Sequence, residues 1–167
     1  MNSLPTSLRT ANSGFTLIEL MVTIAVLAII VSIAAPSIST QLANQRVKST
    51  ASIIESALKE AKAESIIRRQ NINVIYNSVS DPKTIVLQSS SVALFTYNIN
   101  DQNTVAITTM GTPPIALTTV TFQPNKLIAG DDEISYSICD SSSSNETPRQ
   151  VRINKIANIN TINAGSC

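Results

Sequence analysis

Residues 14–36 read GFTLIELMVTIAVLAIIVSIAAP. From Phe15 to Ala35 this is a run of 21 residues with one charge, Glu19. A membrane-spanning helix needs roughly 20 mainly apolar residues, so the length fits a single span. Ahead of it lies MNSLPTSLRTANSG, a polar segment carrying Arg9. A secretory signal peptide would place a small-residue cleavage site after an apolar core of ~7–15 residues. Here the order is inverted, with the small residue Gly14 in front of the block. Positive charge before the block predicts a cytoplasmic N-terminus and the rest of the chain outside. Glu19 is the anomaly, because a carboxylate inside a membrane helix costs about 2.5–3.5 kcal/mol on insertion scales and is usually functional. The plainer alternative is a residue near the helix end that reaches for the interface. In either case a first-turn carboxylate meets the positive end of the helix dipole. Pro36 closes the block, as a helix stop or as a bend in a helix that continues.

Gly14-Phe15-Thr16-Leu17-Ile18-Glu19 resembles the processing site of type IV pilins and type II secretion pseudopilins. The resemblance implies that residues 1–14 are a leader, that prepilin peptidase cuts between Gly14 and Phe15, and that the Phe15 amine is then methylated. It also implies that Glu19, fifth in the mature chain, meets the Phe15 amine of a neighbouring subunit during assembly. A carboxylate offsets a charge in apolar surroundings only when closely paired, which agrees with that role. Pro36 stands where pilins commonly carry a helix-bending proline. The implied fold is α+β, the pilin fold. It has a transmembrane and assembly helix over 15–36, an amphipathic continuation over 37–70, and an antiparallel β-sheet head over 71–167. The implied location is the bacterial inner membrane, crossed once with the head periplasmic, and the cell-surface pilus. The implied partners are other pilins and minor pilins through the N-terminal helix, the prepilin peptidase and the inner membrane.

The residues after Pro36 favour a continuing helix. Ser37 to Gln70 contains no Gly or Pro. Val47, Ala51, Ile54, Leu58, Ala61 and Ser65 recur at four-three spacing and mark one helical face. Glu55–Lys59 and Glu64–Arg68 are i,i+4 pairs with the acid first. Six Lys or Arg stand against three Glu in this segment. That excess is read as a solvated face, with nucleic-acid contact as the alternative.

After Gln70 the texture changes to short β-branched runs: 72–79, 84–88, 92–99, 104–109, 115–122, 133–139 and 151–162. Breaks fall at Asp81-Pro82, Asp101-Gln102-Asn103, Gly111–Pro114, Gln123-Pro124-Asn125 and Gly130-Asp131. This is the rhythm of an antiparallel sheet. Asp131-Asp132-Glu133 lacks the spaced oxygen ligands of a calcium loop and reads as a solvated turn. Cys139 and Cys167 are the two cysteines. In an oxidising compartment an even count suggests one disulfide, worth about 3–4 kcal/mol for a loop of this length. The alternative is a buried thiol and a frayed terminal one.

The head resembles the FimT/FimU–GspH group of minor pilins and pseudopilins. The matching residues are Thr121-Phe122-Gln123-Pro124-Asn125, Ile138-Cys139-Asp140, Arg149–Asn154 and Gly165-Ser166-Cys167. The group implies a minor pilin of a type IV pilus, incorporated at or near the tip to initiate assembly. Its alternatives are a DNA-binding minor pilin for natural transformation, similar to FimT, and a type II secretion pseudopilin similar to GspH. The DNA reading would use Arg149, Arg152 and Lys155. DNA-binding members carry Gly-Arg-x-Arg, whereas this chain has Pro148-Arg149-Gln150-Val151-Arg152. If Val151–Lys155 is a strand, Arg149 and Lys155 point to one side and Arg152 to the other.

Composition narrows the classes. The chain has 167 residues, no His, no Trp, 14% charged residues and a formal net charge of +1. The near-neutral total is a sum of +3 over 37–70, −5 over 71–146 and +3 over 147–167, with Arg9 and Glu19 cancelling. Without His, and with two distant Cys, a His-based catalytic site or a closed four-ligand zinc site is excluded. No nucleophile–base pair, phosphate loop or metal spacing stands out. We expect no catalytic residues, no cofactor and no metal.

Overall fold

The computed structural model describes residues 14–167, the side chains of 33–37 excepted. Of the expected leader, residues 1–14, all but Gly14 lie outside the described residues, Arg9 included. So does the side chain of Pro36. One helix, α1, runs Leu17–Arg68, through Pro36 rather than stopping at it. The chain divides into two compact units, ending at Ser37 and beginning at Ile38.

In the first unit the large apolar side chains of the helix are exposed. Every large apolar side chain from Phe15 to Val31 is 50–76% exposed. A helix that is apolar all round must be buried by something, since it has no face that favours water. Among the described residues, no helix is long and apolar enough to cross a membrane.

The second unit is the head. Here α1 turns one apolar face inward, and Val47, Ala51, Ile54, Leu58, Ala61 and Ser65 are all buried, as the four-three spacing predicts. Arg69, at φ 54°, ends the helix in a left-handed conformation that releases the chain toward the first strand. Eight strands follow: β1 Ile72–Asn77, β2 Thr84–Ser89, β3 Val92–Asn98, β4 Asn103–Thr109, β5 Thr119–Phe122, β6 Ile134–Asp140, β7 Arg149–Ile153 and β8 Ile159–Asn163. They form two four-stranded antiparallel sheets, ordered β3-β2-β1-β5 and β4-β6-β7-β8.

One core serves helix and both sheets. Ile54 and Leu58 of α1 join Ile72, Leu87 and Phe122 of the first sheet and Tyr136, Ile138 and Val151 of the second in a single buried cluster. Fully burying such side chains contributes about 1.5–3 kcal/mol each. The strands alternate accordingly, as in β2, where Ile85, Leu87 and Ser89 are buried and their neighbours are not.

Three details depart from the sequence reading. The head has two sheets where one was expected. The run 151–162 is two strands, β7 and β8, joined by a turn in which Asn154 O accepts from Ala157 N at 2.9 Å. The run 115–122 forms a strand only from Thr119, and its first part crosses to β4 through the Thr108–Ala116 bridge.

Candidate functional site

The N-terminal turn of α1 is built by Thr16. Its Oγ1 accepts from Glu19 N at 3.3 Å, and its carbonyl accepts from Leu20 N at 3.1 Å. Thr-x-x-Glu with the acid three residues on is the capping-box pattern, which places Glu19 in the first turn where the helix dipole favours a carboxylate. The sequence reading passed over this role for Thr16, although the spacing was there to be read. Gly14 stands in open surroundings, and a Cβ built there would meet nothing within 4 Å. Among the described residues, nothing makes a steric demand for glycine at 14.

In the head, α1 is fastened to the second sheet by an ion pair. Arg46 Nε donates to Asp140 Oδ2 at 2.7 Å and Arg46 Nη2 to Asp140 Oδ1 at 3.2 Å, with Ser142 Oγ also accepting from Nη2 at 2.7 Å. The Asp140 side chain is fully buried. The Arg46 guanidinium, with help from Ser142, holds the Asp140 carboxyl down at about 2, and the same pairing raises Arg46. Further along α1, Glu55 accepts from Lys59 and from Thr161 Oγ1 on β8, and these bonds lower its pKa. Lys62 Nζ donates to Ala157 O at 2.7 Å in the turn before β8. Asn103 Nδ2 donates to Arg46 O and Thr50 Oγ1, joining β4 to the helix. Pairs 53 to 106 residues apart leave no local signal, so sequence reasoning missed them.

Cys139, on β6, and Cys167 are joined in a disulfide with Cα atoms 5.9 Å apart. The bond ties the C-terminal segment to the strand that carries Asp140.

The three cations singled out for DNA are dispersed. Arg149 is half-buried and lies opposite Ile138 and Asn163 in the sheet. It lines a groove with Gln41, Gln45 and Lys48 of α1. Arg152 is exposed on the opposite side of β7 and donates from Nε to Gln150 Oε1 at 2.7 Å. Lys155 lies past the end of β7, beside Glu133. No single cationic stripe results. Asp131, Asp132 and Glu133 are exposed in the turn before β6. Among the described residues, no group of three or more His, Cys, Asp or Glu could hold a metal ion.

A family model described as the prokaryotic N-terminal methylation motif matches residues 9–35. No curated protein matches the chain in sequence. Two crystal forms of the Pseudomonas aeruginosa type IV minor pilin FimU match its fold. At 17% identity, the P21 form aligns over 74% of this chain and 96% of FimU with a TM-score of 0.58. The P65 form aligns over 72% and 98% with a TM-score of 0.57, again at 17% identity. The shared architecture is an N-terminal helix packed on antiparallel sheets.

Proposed function

We propose that this chain is a minor pilin of a type IV pilus, made as a prepilin and assembled through its N-terminal helix. The observation that carries the reading is the uncovered apolar surface of Phe15–Val31, directly behind the Gly14-Phe15 junction. In this reading residues 1–14 are removed by prepilin peptidase, and the new Phe15 amine is methylated. The apolar helix is held first by the inner membrane and then by neighbouring subunits. The head stays periplasmic and later surface-exposed. Glu19 pairs with the Phe15 amine of an adjacent subunit, and the subunit enters at or near the tip.

The methylation-motif match over residues 9–35 supports the processing step, and the fold shared with FimU supports a minor pilin. Among the described residues nothing requires glycine at 14, which agrees with a demand from outside the fold, as a peptidase would make. The dispersal of Arg149, Arg152 and Lys155 favours a structural subunit over a DNA receptor, because phosphate binding needs several cations within reach of one backbone.

The test is Gly14→Trp in cells with the peptidase. The variant is expected to remain at precursor length on a gel while the unaltered chain is shortened. A shortened product from Gly14→Trp would reject the processing assignment.

A further inference from the structure

We propose that the groove between α1 and the β7–β8 hairpin binds the phosphate of an anionic phospholipid. The inference rests on the membrane-anchored reading above and adds a ligand to it. Gln41, Gln45 and Lys48 line one wall of the groove, and Arg149 and Asn163 line the other. Asn44 and Thr147 complete the lining, joined by the Thr147 backbone N–H donating to Asn44 Oδ1 at 2.7 Å. No carboxylate lines the groove. The nearest acid along the chain, Glu146, accepts from Asp140 N with its Oε1.

The two cations are uncommitted. Among the described residues, neither the Lys48 ammonium nor the Arg149 guanidinium has a hydrogen-bond or ion-pair partner. Arg46, two residues before Lys48, is already taken by Asp140. The side-chain amides of Gln41, Gln45 and Asn163 add neutral donors. Two unpaired cations and several amides without an acid form a site for a phosphate-sized anion.

The surface beside the groove says which kind of phosphate. Ile38 and Leu42 are 62% and 54% exposed and form an apolar patch with Gln41 and Gln45, the same two glutamines that border the groove. A cationic slot continuous with an apolar patch fits an amphiphile, with its anionic head in the slot and its alkyl chain on the patch. The spacing agrees. Leu42 to Lys48 rises about 9 Å along the helix. Lysine side chains lean toward the helix N-terminus and keep the ammonium at the interface, which shortens that distance. The polar layer on each side of a bilayer is about 5–7 Å thick. A lipid whose chain lies along Leu42 would thus place its phosphate within reach of Lys48.

The experiment is native mass spectrometry of the full-length chain in detergent, titrated with phosphatidylglycerol and with phosphatidylcholine. The unaltered chain is expected to prefer phosphatidylglycerol. Lys48→Gln is expected to weaken that preference about fivefold, and Lys48→Gln with Arg149→Gln to abolish it, at roughly one such factor per cation near an anionic surface. Lys59→Gln with Arg152→Gln removes the same charge elsewhere and is expected to keep it. Because Arg149 is half-buried, the exposed Lys48 single variant keeps the test valid if the double variant unfolds. Glycerol phosphate in large excess is expected not to displace the lipid. No preference in the unaltered chain, equal loss in both double variants, or displacement by glycerol phosphate would each overturn the proposal. Fractionation of cells separates the two readings. A chain found with soluble proteins rejects the membrane anchor itself, whereas a membrane-bound chain without lipid preference rejects only this site.

Discussion

The two stretches of α1 solve the same problem in opposite ways. Both are rich in aliphatic residues and free of glycine within the helix. Over 38–68 one face is apolar and buried by the chain's own sheets, completely at Val47, Ile54 and Leu58, while Ile38, Leu42, Ile66 and Ile67 stand exposed elsewhere. Over 15–32 the apolar residues surround the helix, and the large ones among them stand exposed. Both stretches are helical, so the difference lies in where the partner comes from. A one-sided stripe can be satisfied within a domain, whereas an all-round apolar surface needs an environment that surrounds it.

Matched truncations put that difference at risk. Leu58→Ala empties a fully buried position and is expected to lower the stability of the head by about 2–5 kcal/mol in denaturant unfolding. Leu27→Ala removes an equal side chain that is 58% exposed and is expected to leave the head's unfolding midpoint unchanged. A comparable shift from both would mean that the first stretch contributes to the stability of the head, and the contrast would fail.

The second lever acts on the head alone. Reducing the Cys139–Cys167 bond, or replacing it through Cys167→Ser, frees a loop spanning 28 positions. The chain-entropy account gives a loss of about 3–4 kcal/mol. The helicity of the N-terminal stretch is expected to be untouched. Circular dichroism and a denaturant titration under oxidising and reducing conditions check both statements.

The third lever is pH. Asp140 has a carboxyl held at about 2, below its ordinary value near 3.8, by Arg46 first and Ser142 second. The depressed group stabilises the fold fully above pH 3.8, and that stability is lost as pH falls through about 2. The amount is about 2 kcal/mol. Glu55, lowered by Lys59 and Thr161, acts in the same direction. Asp140→Asn is expected to flatten the acid limb of a stability–pH profile, read by chemical denaturation at successive pH values. An unchanged limb would show that the ion pair is not what acid breaks.

How much of this was legible in the sequence follows from the range of each interaction. The face Val47–Ser65 was readable because helical periodicity is local, and all six positions are buried as predicted. Most strand positions were readable from β-branched runs between Gly, Pro and Asn breaks. The hairpin within 151–162 was not, because its turn carries Ala157 at φ 50° rather than a glycine, and Asn154 and Asn158 stand among β-branched neighbours with no Gly or Pro to mark the break. Ser90 and Ser91 also take positive φ, at 46° and 72°. The division into two sheets and the Arg46–Asp140 pair depend on partners far apart in sequence. At the N-terminus the motif gave the residues, and the structure added the reason that Thr16 stands three before Glu19.

That last point yields the smallest and most discriminating effect. Glu19 has a helix-starting position inside its own chain and a proposed pairing with the amine of another. Thr16→Ala removes only the former, since it deletes the acceptor of the Glu19 N–H. It is expected to cost about 1 kcal/mol of helix stability at that end. Amide hydrogen exchange should quicken over the first turn, while incorporation into sheared pili stays near normal. Glu19→Gln does the reverse, because glutamine is also accepted at the third position of a capping box but carries no charge. Exchange in the first turn should stay slow, and the subunit should be absent from sheared pili although its leader is removed. If Thr16→Ala blocked incorporation as fully as Glu19→Gln, the carboxylate would act by starting the helix. The uncovered stretch of α1 would then need no charge pairing to find its neighbours.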